Sequence, residues 1–221
     1  MNWDLLEPLL IIISIDIILG GDNAVVIALA SRNLPPEQRN KAIMFGTGLA
    51  IAARVLLTMA ALYLLQIPFL QLIGGLLLFY IAMKLLTDTE ETDHITAGDS
   101  LAAAIKTIVF ADIVMGFDNV LAIAGASHNN IILVMIGLLF SVPIIVWGSK
   151  IILAFMDKFP LLIYFGAGIL AYTAAEMVME DRYIFQYIEN YPFIQQWFAV
   201  VMVITVITLG YFSNKKKGTA V

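Results

Sequence analysis

The sequence has no cysteine, only two histidines, and few charges, with Asp, Glu, Lys and Arg together making up 13% of 221 residues. The missing thiols exclude disulfides and thiolate metal sites. His94 sits in the acidic loop and His128, at a helix end, has no clustered partner, so the nitrogen and sulfur donor sets favoured by zinc and copper are lacking too. The shortage of charge excludes a soluble domain of this size. No basic patch points to nucleic acid, and the net charge of −5 comes largely from the stretches 88–99 and 180–189. What fills the chain is apolar: 61% of residues are hydrophobic and the mean hydropathy is +0.93, values that belong to polytopic membrane proteins.

Seven apolar runs, at about 8–31, 42–65, 68–87, 101–126, 131–155, 160–179 and 194–213, are long enough to cross a hydrocarbon core of roughly 30 Å. The expected fold is therefore all-α, a single transmembrane domain of seven helices joined by short connections. The first run follows Asp4 and Glu7 and carries Asp16, which is unlike a cleaved signal peptide. With the amino terminus outside, ten of the twelve Lys and Arg face the cytoplasm, Arg182 lies outside and Arg54 falls within a span. The positive-inside rule thus predicts N-out, C-in.

The chain also repeats itself. Asp16-Ile-Ile-Leu-Gly20-Gly21-Asp22-Asn23 recurs 96 positions on as Asp112-Ile-Val-Met-Gly116-Phe-Asp118-Asn119. A weaker echo relates Pro68 and Gly74 to Pro160 and Gly166 and sets Lys84 opposite Glu176. Each copy is three helices long, at about 8–87 and 101–179, with an acidic cytoplasmic loop at 88–100 between them and an extra helix at about 194–213. Three is odd, so the second copy enters from the opposite face. This is an inverted repeat of the kind that places a substrate site near the bilayer midplane.

The two motifs sit mid-span. An intramembrane aspartate costs roughly 2.5–3.5 kcal/mol, so four would cost about 10–14 kcal/mol uncompensated. Arg54 alone cannot neutralise Asp16, Asp22, Asp112 and Asp118; a bound cation or protons must supply the rest. On an unbroken helix Asp16 and Asp22 would stand about 240° apart in azimuth and about 9 Å apart along the axis. Gly20, Gly21 and Gly116 are poor helix formers, and breaks there would let the carboxylates converge and expose carbonyls. Asn23 and Asn119 add amide oxygens. The all-oxygen set suits manganese, magnesium or calcium. Glu176 is an accessory ligand or a carboxylate reaching the headgroups, and Arg54 either pairs with an aspartate in the empty site or reaches along a polar crevice. An intramembrane aspartyl protease is the enzymatic alternative, but Gly20-Gly21-Asp22 matches its motif only in part and leaves Asp16, Asp112 and both asparagines unused. A non-enzymatic role is expected.

The paired Asp-x-x-x-Gly-x-Asp-Asn motifs, the seven spans and the acidic middle loop resemble the TerC family, in its short bacterial YjbE-like branch, over essentially the whole chain. The resemblance implies membership of the LysE transporter superfamily and manganese export across the bacterial cytoplasmic membrane, with Mn2+ as cargo and no prosthetic group. It also implies supply of metal to proteins leaving through the secretion machinery. A LysE-like amino-acid exporter and a membrane scaffold for secreted metalloproteins stay open, as do the coupling ion and a homo-oligomeric state.

Overall fold

The computed structural model describes residues 3–64, 67–87, 97–126, 130–189 and 191–216. The acidic stretch with His94, and His128, lie outside them, as does the side chain of Asp118. Among the described residues the secondary structure is helical throughout: α1 (Trp3–Leu19), α2 (Gly21–Ser31), α3 (Pro36–Leu64), α4 (Leu70–Thr87), α5 (Ala97–Ala126), α6 (Ile131–Lys158), α7 (Leu161–Glu180), α8 (Arg182–Ile188) and α9 (Pro192–Lys216).

Proline marks many of the starts. Pro36 and Pro192 occupy first helical positions and Pro160 precedes α7, where the missing N–H costs no intrahelical bond. Before α4, Pro68 is followed by Phe69 at φ 58°, a left-handed residue that turns the chain. Within the described residues α3, α4, α6, α7 and α9 are long and apolar enough to cross a bilayer, and α1 with α2 makes a sixth candidate, bent by 46°. The protein is thus an all-helical, polytopic membrane protein. The run expected at 101–126 falls within α5, whose 30 residues extend about 45 Å.

The connection between the runs ending at 179 and beginning at 194 holds a short helix, α8. Asp181 explains it: Oδ1 accepts from the Tyr183 N–H at 3.0 Å, capping the short helix, while Oδ2 accepts from the Leu72 N–H at 3.2 Å.

Two compact units emerge. One comprises Met1–Gln66 with Gly98–Leu153, and so holds α1, α2, α3, α5 and most of α6. Its core gathers Ile12, Ile123, Leu133, Val134 and Leu138. The other comprises Ile67–Ala97 with Ala154–Val221. Here α7 packs on α4 and α9 through a small-residue face of Gly166, Ala167, Ala171, Ala174 and Ala175. A Cβ on Gly75 of α4 would lie 2.6 Å from the Ala174 carbonyl oxygen, so the two backbones approach as closely as they do because Gly75 has no side chain. Asn214 ties the end of α9 to its neighbours, donating to the Leu86 carbonyl at 3.2 Å and the Tyr164 hydroxyl at 3.0 Å. Leu56, Met59, Leu139, Trp147 and Phe165 point outward and exposed, a surface suited to lipid rather than water.

Candidate functional site

The site lies wholly in the first unit and starts with the interruption between α1 and α2. Gly20 sits at φ −92°, ψ 6° and its N–H closes on the Asp16 carbonyl at 2.8 Å. A Cβ there would collide with that same carbonyl oxygen, so a side chain is excluded at the turn. α2 then begins at Gly21, with Asp22 in its first turn accepting from the Asn23 N–H at 3.0 Å.

Five other polar side chains meet Asp16 or the space beside it. Arg54 of α3 donates from Nη1 to Asp16 Oδ1 and from Nη2 to Asp112 Oδ1 on α5. Ser141 of α6 donates to Asp16 Oδ2. Asp16 is 1% exposed and Arg54 4%, while the Asp112 side chain keeps 12% of its surface exposed, so the cluster is buried at Asp16 and Arg54 and partly open at Asp112. Beside it is a cavity of about 20 Å³, lined by Asp16, Asn23, Thr47, Arg54 and Asp112 with apolar neighbours such as Val26 and Ile145. Asn23 is 4% exposed, and neither its Oδ1 nor its Nδ2 has a hydrogen-bond partner among the described residues. Thr47 Oγ1 and Arg54 Nε are buried and equally unpartnered.

The charges do not cancel: two carboxylates against one guanidinium leave one negative charge if both acids are ionised. Removing one partner from a buried pair is far costlier than the pair's net worth, which makes Arg54 the element that permits two acids to share an apolar interior.

The structure therefore brings together Asp16, Asp112 and Arg54, with Asn23 on the same cavity. Asp22 lies in the first turn of α2 and does not line that cavity; Asn119 is buried on α5 and does not line it either. The expected break at Gly116 is absent, because α5 continues through it. One glycine costs about 1 kcal/mol in a helix, too little to interrupt thirty residues held by their own hydrogen bonds. Gly116 instead leaves room for the cluster: a Cβ there would sit 3.5 Å from Arg54 Nε and 3.9 Å from Asp112 Oδ2. Gly21 is the first residue of α2, with open space where a side chain would project. Among the described residues no three His, Asp or Glu side chains converge as a metal-binding group. Glu176 is exposed on α7 and lines a different cavity of about 630 Å³ in the second unit, with Tyr172, Glu180 and Phe185. Thr47 and Ser141 escaped the sequence reading. Their only signal is a hydroxyl in an apolar run, and such residues usually bond back to their own helix, as Thr58 does to the Arg54 carbonyl at 2.8 Å.

Lipid-facing helices around a buried, charge-bearing interior define an integral membrane protein with a polar core. The chain belongs to the integral membrane protein TerC family, whose profile matches residues 1–218. It is 51% identical to membrane protein YjbE of Bacillus subtilis over 218 residues, 98% of this chain and 100% of that protein. Over 200 residues it is 27% identical to the UPF0053 inner membrane protein YoaE of Escherichia coli, covering 81% of this chain but 38% of YoaE. Membrane protein YkoY of Bacillus subtilis is 31% identical over 119 residues, 52% of this chain and 37% of YkoY. No solved structure matches. The chain is a multi-pass membrane protein whose relatives are bacterial membrane proteins.

Proposed function

We propose that this protein exports a divalent cation, manganese, across the bacterial cytoplasmic membrane, holding it at the Asp16–Asp112 pair. The observation that carries this reading is that equivalent aspartates of the two motif copies share one buried cavity with the unpartnered oxygens of Asn23 and Thr47. Carboxylate, amide and hydroxyl oxygens suit a hard dication. Manganese itself rests on the family resemblance. In this reading α1–α2 form one broken span and α5 is the fourth. The seven spans make an inverted three-plus-three repeat with α9 added, N-out and C-in, and the site opens alternately to either side. Protons return on the vacated carboxylates.

Arg54 favours a second reading. A guanidinium beside two carboxylates could receive the carboxylate of an amino acid while Asp16 or Asp112 receives its ammonium, as an amino-acid exporter of the same superfamily would require.

Purified protein in liposomes distinguishes the two. Manganese flux should exceed that of magnesium, calcium and zinc, should vanish in Asp16→Asn and Asp112→Asn, and should collapse with the pH gradient. Amino-acid counterflow without metal flux would establish the second reading, and persistence without a pH gradient would remove the proton step alone.

A further inference from the structure

We infer that Arg54 is a resident counter-ion that the cargo must displace, so that cation and guanidinium take turns on the Asp16–Asp112 pair. This rests on the transport reading above and adds to it how the empty carrier is stabilised.

Three observations converge. First, the acids are already engaged: Arg54 spends one Nη on each, and Ser141 holds the second oxygen of Asp16. Second, the cavity of about 20 Å³ has room for about one water, too little for a cation with its hydration shell while Arg54 stays in place. Third, the arrangement leaves polar atoms unused on both sides. Arg54 Nε has no acceptor, whereas Asn23 Oδ1 and Thr47 Oγ1 face the same cavity with no donor. Buried unsatisfied groups are costly, so the guanidinium is not locked by a full set of bonds, and the oxygens left over are those a cation would use.

Charge arithmetic gives the same answer. Two ionised carboxylates with one guanidinium carry one negative charge, and with one dication they are neutral. With both cations present the site would carry one positive charge in a medium that screens poorly. The dication alone neutralises both acids, the guanidinium alone offsets one of them, and the two cations repel each other. The functional consequence is that the unloaded carrier needs only one returning proton on its two acids to be neutral, where two would be needed without the arginine. Without the arginine, the empty acids would be uncompensated and the carrier would prefer to move only when loaded.

The test uses full-length protein, with binding of manganese measured in detergent and both net flux and manganese-for-manganese exchange measured in liposomes. Arg54→Gln should bind manganese about tenfold more tightly or better, since an opposing charge is gone, while net flux falls about tenfold and exchange falls much less. Weaker binding in Arg54→Gln, with net flux and exchange declining in parallel, would overturn the inference and make Arg54 a positioning residue for the acids. Should the glutamine variant fail to fold, Arg54→Lys keeps a charge but loses the fork that spans both carboxylates. It should bind manganese a few-fold more tightly than wild type, and equal or weaker binding overturns the inference. A wild-type protein that neither binds nor moves manganese would instead remove the transport reading and this inference with it.

Discussion

Residue by residue, the site contrasts two glycines that look alike in the sequence. Gly20 stands where a methyl group would strike the Asp16 carbonyl, while Gly116 stands in a continuous helix with a methyl's worth of space. Gly20→Ala should therefore lower the thermal midpoint and abolish flux, whereas Gly116→Ala should fold as well as wild type or better, gaining up to about 1 kcal/mol of helix propensity. Equal loss in both variants, followed by thermal melting in detergent, would contradict this. Ser141→Ala removes a donor from a buried carboxylate and should destabilise by about 1–3 kcal/mol. The acids were legible because a carboxylate in an apolar run is conspicuous. Arg54 was legible as a partner for an aspartate or as a side chain reaching along a crevice, and nothing local could decide between them or link position 54 to 16 and 112 in particular. Thr47 and Ser141 were invisible, because a single hydroxyl in a span is ordinary.

Among the elements, the break at Gly20 was legible from two consecutive glycines between two acids, and the continuity of α5 was not. The second motif has one glycine followed by Phe117, and a single weak helix former is outvoted by the residues around it. The short α8 was hidden for the opposite reason. Seven residues lie below the length at which a helix forms on its own, so its existence depends on Asp181 and on packing that sequence periodicity does not report. Asp181→Ala should therefore release both α8 and the Leu72 N–H, costing about 1–2 kcal/mol and opening the 181–189 segment to protease. Unchanged cleavage of that segment in membranes would show that packing alone holds it.

For the whole molecule, the repeat that organises the sequence does not organise the compact units. The first unit takes α1, α2, α3, α5 and most of α6, hence parts of both copies, and the second takes α4 and α7 along with α9. Sequence self-similarity records which segments are equivalent, not which pack together, and packing is set by contacts distant in the chain. The proposed orientation is directly testable, because a chain without cysteine accepts single reporter thiols on a blank background. Arg182→Cys and Lys158→Cys both lie at exposed positions outside the apolar runs. N-out, C-in predicts that a membrane-impermeant maleimide labels intact cells at 182 and not at 158; the reverse pattern would invert the topology and turn export into import.

The interruption at Gly20 also sets the sign of what the interior can hold. It creates a helix start inside the bundle, and free N–H groups at the head of a helix form a trap for anions. Asp22, in the first turn of α2 and bonded to the Asn23 N–H, fills that trap with an acid of the protein's own. The same turn that shapes the cavity thus brings its own occupant for the helix start, which a free chloride or phosphate would otherwise find open.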